Sequence, residues 1–377
     1  MQQKIFILGI GNVGKELIKR VVEKDSADFH NNPTIIVGLA EPGKFLFSPE
    51  GIPVDDLLMI AKAGKTVGGS LETGKSYNKM EELVEMVQKA NLDGEVIFVD
   101  ATAGKDVLLN FHKYVITQSQ NSIVTANKNP IALGDVEDFH LLTQFHHRYD
   151  ANVTVMGGAG VVPFLNERKE IRDDIQNIQG CFSGTLGYIL SELEKEQKLF
   201  SEIVREANEL GYTEPNPWDD LNGLDVARKI LILARYAGYD VRIEQVKIRP
   251  LIEDSFGKLS GEEFWNKLKE KDKYFMTLQK EAVKERSVLR YVAEMDVDQN
   301  KKSVDLRVGL KKMPRDSEFG TLKGTANLVV IETDTLNQPV PHVIKSRGAG
   351  LAVTADALRT GILRLMPYGA QRYKDKI

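Results

Sequence analysis

The chain contains 377 residues with a formal net charge of −4, and 28% of its residues are charged. This length allows two domains with separate cores, whereas the dispersed lysines and arginines argue against a nucleic-acid-binding protein. The single cysteine, Cys181, excludes an intramolecular disulfide. The lack of long apolar runs predicts no membrane partner, and the lack of Cys/His clusters predicts no metal. We therefore expect a cytoplasmic protein.

The first predicted element is a buried β-strand at residues 4–8, followed at once by the glycine motif GIGNVG and a predicted helix. In this context the glycines allow a tight turn and a close approach of the backbone to a pyrophosphate. The free amides of the helix N-terminus then bind the phosphates. We therefore predict a dinucleotide site rather than a purely structural turn. The residues expected to contact the cofactor here are Gly9, Gly11, Asn12, Val13 and Gly14.

A second strand, predicted at residues 34–39, leads to Glu41. A carboxylate at this point of a dinucleotide-binding fold accepts hydrogen bonds from the adenosine ribose, which favours NAD over NADP. Lys44 lies close by and could instead bind a 2'-phosphate. We expect NAD as the cofactor, with NADP possible.

Two more buried strands, at residues 96–99 and 123–125, are followed by polar residues. Ligands of open α/β sheets bind at the carboxyl ends of the strands. Thr102 is therefore predicted to contact the cofactor, and Lys128 is a lysine at the same edge of the sheet. The alternative for Lys128 is an ordinary surface charge.

Further patterns divide the chain into domains. A glycine-rich run at residues 157–160 follows a strand predicted at residues 152–155 and indicates a hinge. Alternation between residues 285 and 335 predicts a mostly antiparallel sheet, and a helix after Gly350 returns the chain to the first domain. We predict an α/β protein with a Rossmann-type dinucleotide-binding domain and an α+β substrate-binding and dimerisation domain. The expected boundaries are 1–150 plus 345–377, and 151–344.

The most distinctive stretch, residues 211–229 (GYTEPNPWDDLNGLDVARK), combines carboxylates, prolines and a lysine. It predicts a stiff loop and then a helix beginning near Asp220, with Asp219 and Asp220 at its N-terminal cap. Asp225 and Lys229 are four residues apart on one helix face, which is also the spacing of an ordinary ion pair. The apolar residues around Lys229 favour a desolvated lysine that exchanges protons, beside carboxylates that hold a substrate ammonium.

This stretch closely resembles the substrate-site signature of homoserine dehydrogenases. The resemblance extends over nearly the whole chain, through the segments GIGNVG, VDATA, TANK, GCFSGTLGYI, FGTLKGTAN and GAGLAVTA. It implies an NAD(P)-dependent interconversion of L-homoserine and L-aspartate 4-semialdehyde by hydride transfer, with a lysine as acid and base. It also implies a small-molecule substrate and a homodimer formed through the central domain.

The resemblance assigns roles to individual residues. Lys229 matches the family's catalytic lysine, and Asp225 matches its carboxylate partner. Lys128 matches the lysine of the NK pair at the substrate side of the nicotinamide, and so joins both the catalytic and the cofactor-binding residues. Gly350 of the GAG segment is expected at the cofactor. The substrate-binding residues implied are Gly184, Thr185, Tyr212, Glu214 and Asp220.

Two departures from the family pattern affect these expectations. Val155 stands where the family usually has a glutamate that supports a monovalent cation, so we expect no metal site. Ala101 and Ala103 remove side-chain contacts beside the cofactor, and we expect backbone groups and Thr102 to replace them.

Other functions remain as alternatives. Another NAD(P)-dependent amino-acid dehydrogenase would not need the whole acidic pattern. A phosphorylating semialdehyde dehydrogenase would need a cysteine nucleophile, for which Cys181 is the one candidate. A catalytically silent dinucleotide-binding regulatory protein is the third alternative, and the retention of Asp225 together with Lys229 argues against it.

Overall fold

The structure is a computed structural model that describes residues 3–25, 34–63, 74–298, 300, 303–334, 341–347 and 350–365. The chain divides into two compact units, Met1–Gly158 with Gly350–Ile377, and Ala159–Ala349. None of the helices in the described ranges is long and apolar enough to cross a membrane.

The first unit contains a seven-stranded sheet. Its strands are β1 (Gln3–Leu8), β2 (Thr34–Glu41), β3 (Lys44–Phe47), β4 (Lys75–Ser76), β5 (Val96–Asp100), β6 (Ser122–Thr125) and β7 (Tyr149–Asp150). They lie in the order β4-β3-β2-β1-β5-β6-β7. The helices that alternate with them are α1 (Asn12–Asp25), α2 (Val54–Lys62), α3 (Glu81–Lys89), α4 (Asp106–Gln118), α5 (Asn129–Ala132) and α6 (Val136–Thr143).

The centre of this sheet is parallel and buried. β1 pairs in parallel with β2 and β5, and β5 pairs in parallel with β6. All five residues of β5 are buried, as the continuous apolar run predicts for a strand covered on both faces. Leu17, Ile18 and Val21 of α1 lie in the core that covers one face. The buried strands predicted at residues 4–8, 34–39, 96–99 and 123–125 are therefore confirmed.

The sheet also has an antiparallel edge that the sequence analysis missed. β2 turns back into β3 through Pro42 and Gly43, so that Glu41 pairs with Lys44. Gly43 has a φ of 78°, which a two-residue turn with proline before glycine requires. The Pro-Gly pair was a signal for this hairpin, and β4 then adds one more antiparallel strand to β3.

The strand predicted at residues 152–155 is wrong. The sheet ends with β7, and Asn152–Thr154 forms a 3₁₀ turn. The backbone amide of Asn152 donates to Asp150 Oδ1 at 3.0 Å, and the Thr154 hydroxyl donates to Ala151 O at 2.6 Å. These side chains occupy backbone groups that a strand would need for its ladder.

The second unit contains a six-stranded sheet. Its strands are β8 (Ile175–Cys181), β9 (Val246–Ile248), β10 (Ser287–Asp298), β11 (Ser303–Pro314), β12 (Ala326–Thr333) and β13 (His342–Arg347), in the order β13-β12-β8-β10-β11-β9. The helices are α7 (Val161–Glu170), α8 (Gly184–Leu193), α9 (Phe200–Glu209), α10 (Trp218–Leu221), α11 (Leu224–Tyr236), α12 (Gly261–Lys269) and α13 (Asp272–Lys284). The pair of β9 with β11 is the only parallel pair among the described strands of this sheet, which confirms the mostly antiparallel prediction.

The last described helix, α14 (Leu351–Arg364), belongs to the first unit. Leu358 and Ile362 of this helix lie in the same core cluster as Leu17 of α1. The carbonyl of Ile362 accepts a hydrogen bond from Gln3 Nε2 at 2.6 Å. Residues from both ends of the described chain therefore complete one core.

Candidate active site

The helix of the acidic stretch begins later than predicted. Asp219 and Asp220 lie in the one-turn helix α10, and Gly223, with a φ of 78°, separates it from α11. Asn222 Oδ1 accepts a hydrogen bond from Leu224 N at 2.7 Å. The cap predicted at Asp219 and Asp220 is wrong, because the left-handed glycine ends one helix and starts the next.

The start of α11 is fixed by a close contact at Gly223. A Cβ atom on this residue would lie 1.9 Å from Tyr291 Oη. Tyr291 cannot easily move away, because it is 3% exposed and its hydroxyl donates to Arg249 O at 2.9 Å. The backbone therefore needs glycine both for its positive φ and for this close approach. Asp225 and Lys229 follow on one face of the helix so placed.

Lys229 forms two short polar contacts. Its Nζ lies 2.7 Å from Asp225 Oδ2 and donates to the carbonyl of Phe182 at 2.8 Å. The lysine side chain is 14% exposed, whereas that of Asp225 is 37% exposed. Phe182 directly follows β8, and no sequence signal pointed to its carbonyl. The helix thus holds an amine against a carboxylate at the margin of the buried core. The buried residues of α11 are Val226, Ala227, Ile230, Leu231, Ile232, Leu233, Ala234, Arg235 and Tyr236.

The other residues predicted to bind substrate meet at the start of α8. Gly184 and Thr185 form its first turn, after the N-cap Ser183. The Thr185 hydroxyl lies 2.5 Å from Tyr212 O and 3.0 Å from Asp220 Oδ1. The backbone amide of Glu214 donates to Asp220 Oδ2 at 2.7 Å. The cluster therefore joins the Thr185 hydroxyl, the Asp220 carboxylate and backbone groups of Tyr212 and Glu214 within the second unit.

Asp220 titrates abnormally in this cluster. Burial raises the pKa of Asp220 to about 6, the charges of Glu214 and Asp225 act in the same direction, and hydrogen bonds oppose them. Thr185 has one hydroxyl proton, which cannot serve both Tyr212 O and Asp220 at once. The ionised form of Asp220 is therefore costly until a cation approaches it, and a substrate ammonium would supply that cation.

A loop of the FGTLKGTAN segment supports α8 from behind. A Cβ atom on Gly187 would lie 2.8 Å from Gly324 O, and one on Gly184 would lie 3.4 Å from Thr325. The loop itself is held by Arg290, which is 2% exposed. This segment therefore supports the residues predicted to bind substrate by packing, which the sequence did not indicate. The loop carbonyls that accept from the Arg290 guanidinium are those of Phe319 (2.9 Å), Gly320 (3.0 Å) and Leu322 (2.8 Å).

In the first unit, the glycine motif forms a tight turn before α1. A Cβ atom on Gly14 would lie 2.0 Å from Gly9 O, and Gly9 has a φ of 88°. A Cβ atom on Gly11 would meet nothing within 4 Å, so the backbone there faces open space. Asn12 and Val13 begin α1 directly beside it. This arrangement fits a pyrophosphate approaching the first amides of the helix.

Three other predicted cofactor residues lie at or just after the ends of strands. Glu41 is the last residue of β2 and is partly exposed, and its carbonyl accepts from Tyr77 Oη at 3.0 Å. Lys128 precedes α5 and is partly buried. Thr102 Oγ1 accepts from Asn127 Nδ2 at 3.3 Å, which joins the loop after β5 to the loop after β6.

Gly350 was predicted to lie at the cofactor, and Val155 was the reason to expect no metal site. Gly350 precedes α14 with a φ of 147°, while Gly348 and Ala349 of the same segment lie outside the described residues. Val155 is completely buried. No group of three or more His, Cys, Asp or Glu side chains in the described ranges could hold a metal ion.

Comparisons with known proteins agree on one family. The family model described as homoserine dehydrogenase matches residues 161–363. The homoserine dehydrogenase of Saccharomyces cerevisiae is 32% identical over 96% of this chain and 97% of its own length. A Candida auris protein of unknown function superposes with a TM-score of 0.82 at 28% identity, covering 97% of this chain and 98% of its own. A hyperthermophilic archaeal homoserine dehydrogenase in complex with NADPH has a TM-score of 0.70 at 22% identity, covers 97% of this chain and 98% of its own, and so supports the fold alone.

The raised pKa of Asp220 predicts a stability effect. Because its folded pKa of about 6 exceeds the ordinary 3.8, ionisation destabilises the fold, and the cost grows as the pH rises between these values. We expect Asp220→Asn to raise Tm by roughly 2–5 °C at about pH 7.5 and to leave it unchanged at about pH 4. Thermal unfolding of Asp219→Asn, the same change at the exposed neighbour, is the control. An equal gain at both pH values would contradict the assignment.

Proposed function

Because the chain belongs to the homoserine dehydrogenase family, we propose that Lys229 is the acid and base of its reaction. The protein is an NAD(P)-dependent oxidoreductase that interconverts L-homoserine and L-aspartate 4-semialdehyde. The observation that carries the proposal is the position of Lys229 Nζ, 2.7 Å from Asp225 and in the same unit as the acidic substrate cluster.

NAD(P) held by the first unit would supply the hydride acceptor for the alcohol carbon of homoserine and, in the reverse direction, the hydride donor for the aldehyde. In the oxidising direction Lys229, as a neutral amine, removes the hydroxyl proton and later releases it to solvent. In the reducing direction its ammonium gives a proton to the new alkoxide oxygen. Asp225 and the carbonyl of Phe182 orient the Nζ atom throughout.

The substrate amino group is proposed to bind the acidic cluster. Asp220 and Glu214 supply negative charge there, and the Thr185 hydroxyl connects Asp220 with the backbone of Tyr212. An ammonium beside Asp220 would lower the cost of ionising its carboxyl. The bound substrate therefore favours the charged form that holds it.

The cofactor is proposed to lie on the first unit. The open backbone at Gly11 and the first amides of α1, from Asn12 onward, would hold the pyrophosphate. Glu41 would accept hydrogen bonds from the adenosine ribose, and Thr102 and Lys128 would lie towards the nicotinamide.

We also propose that the protein is a cytoplasmic homodimer. Support for dimerisation comes from the family resemblance and the long sheet of the second unit, and the lone buried Cys181 suits a reducing compartment. Light scattering during size-exclusion chromatography should give twice the 42.2 kDa chain mass. A monomeric mass at micromolar concentration would contradict the dimer.

The role of Lys229 predicts a specific kinetic defect. We expect Lys229→Ala to lower kcat by roughly 10²- to 10⁴-fold, the usual contribution of a positioned acid or base, while coenzyme affinity is retained. Lys229→Arg should restore little, because a guanidinium does not release its proton near neutrality. Formation of reduced nicotinamide from L-homoserine should rise with pH in the wild type.

The matched control is Lys198→Ala, because Lys198 is an exposed lysine paired with Glu206 in the same unit. Its kcat should equal that of the wild type. If Lys229→Ala kept most of its kcat and Lys128→Ala abolished turnover, the catalytic role would belong to Lys128. A wild type that never reduces NAD or NADP with homoserine would overturn the whole proposal.

The position of Glu41 predicts coenzyme preference. Its carboxylate should repel a 2'-phosphate, so the wild type should use NAD at least as well as NADP. Glu41→Ala should raise KM for NAD and shift the ratio of kcat/KM towards NADP. Glu50→Ala, which removes an exposed carboxylate from the same unit, should leave this ratio unchanged. Strong selectivity of the wild type for NADP, lost in Lys44→Ala, would show this assignment of Glu41 to be wrong.

A further inference from the structure

A buried polar chain lies behind the carboxyl edge of the first sheet, outside the residues assigned so far. Asp100, the last residue of β5, and His112 of α4 are both 0% exposed. Asp100 Oδ2 lies 3.1 Å from His112 Nε2, and His112 Nδ1 lies 2.9 Å from Tyr149 Oη. Tyr149 is the first residue of β7. The chain therefore runs from one edge strand of the sheet through a helix to a central strand.

The charge state of Asp100 orients this chain. Burial alone would raise the pKa of Asp100, but the hydrogen bond and electrostatic attraction of His112, together with hydrogen bonds from Thr102, outweigh burial and hold that pKa below its ordinary value. An ionised carboxylate only accepts, so His112 Nε2 donates to it. On the other side of the ring, His112 Nδ1 pairs with the Tyr149 hydroxyl. Tyr149 thus holds the imidazole in the orientation that serves Asp100.

The other oxygen of Asp100 faces the loop after β5. Asp100 Oδ1 accepts the backbone amide of Thr102 at 2.9 Å, which fixes the first turn of that loop. The backbone carbonyl of Asp100 also accepts from Ala126 N at 2.9 Å, at the start of the loop after β6. One residue therefore sets the direction in which both loops leave the sheet.

The two loops are then tied to each other on both sides of Lys128. Asn127, which is 3% exposed, donates from Nδ2 to Gly104 O at 2.8 Å. Asn129 Nδ2 donates to Ala103 O at 3.1 Å. Lys128 lies between these two anchored residues, so its backbone cannot shift without breaking contacts to the loop that carries Thr102.

We propose that His112 and Tyr149 are positioning residues for coenzyme binding, acting through Asp100 on the loops that carry Thr102 and Lys128. This inference rests on the proposed function only in taking these loops as the place of the nicotinamide. Neither residue touches the coenzyme itself. They hold a buried carboxylate in one orientation, and the loops keep the shape that binding requires.

The test measures coenzyme affinity directly, by fluorescence titration of the full chain with NADH and NADPH. His112→Leu removes both hydrogen bonds and should raise Kd roughly tenfold, because the loss of two buried hydrogen bonds at about threefold each multiplies to that factor. His112→Gln keeps a donor near the place of Nε2 and should restore most of the affinity. Tyr149→Phe removes only the hydroxyl and should raise Kd about threefold to fivefold.

The matched control is Thr34→Val at the opposite end of the same sheet. The Thr34 hydroxyl donates to the buried Gln3 side chain at 3.0 Å, so this variant also deletes one buried hydroxyl donor. It should lower Tm and leave the coenzyme Kd unchanged. If Tyr149→Phe and the His112 variants lower Tm but bind coenzyme as tightly as Thr34→Val does, the two residues are merely structural and the inference is overturned.

The titration also separates this inference from the proposed function. A wild type that binds coenzyme but does not oxidise homoserine would contradict the function, while the variants would still decide the role of His112. Should His112→Leu fail to fold, Tyr149→Phe decides alone, because it keeps the ring and its packing. A wild type that binds neither NADH nor NADPH would overturn the inference as well.

Discussion

The contact between Gly223 and Tyr291 determines where Asp225 and Lys229, the proposed reactive groups of the second unit, lie. A helix can carry a lysine and an aspartate on one face wherever it lies. Where these two side chains lie in the protein depends on the residue at which the helix begins. Here that point is set by a tyrosine whose hydroxyl leaves no room for a Cβ atom. The backbone amide of Leu251 donates to Leu221 O at 2.9 Å. The one-turn helix α10 is thus bonded to the segment that contains Arg249, the hydrogen-bond partner of Tyr291.

Each unit uses a buried charged side chain to hold its loops, but the charged groups differ. Each must hold polar side chains in a fixed orientation beside apolar core, where an unpaired polar atom is costly. In the second unit the buried guanidinium of Arg290 donates hydrogen bonds to backbone carbonyls behind α8. In the first unit the carboxylate of Asp100 accepts hydrogen bonds behind the ends of the strands. In both cases a fully partnered buried charge lies behind loops that carry the proposed binding residues.

Much of this arrangement could be predicted from local sequence. The apolar run of β5, the glycines before α1 and the spacing of Asp225 and Lys229 each act through neighbours in the chain. The 3₁₀ turn at Asn152 was missed because side-chain hydrogen bonds override strand propensity there. The late start of α11 was missed because its cause, Tyr291, lies 68 positions away from Gly223 along the chain.

The long-range partners were beyond the reach of sequence reasoning for a related reason. Phe182 contributes a carbonyl, which carries no sequence signal at all. His112 occupies the otherwise apolar buried face of α4, where one sequence alone cannot distinguish a partnered histidine from a ligand. Packing of separate elements creates these contacts, so only the structure reveals them.

The return of α14 to the first unit affects how the protein folds as it is synthesised. The residues of α14 that cover the sheet, such as Leu358, are translated after the entire second unit. The core beside Leu17 therefore stays open on the ribosome while about two hundred further residues emerge, whereas the second unit has all its strands together before α14 appears. We therefore expect the nascent first unit, with its exposed apolar surface, to be the part of the chain that chaperones bind during synthesis.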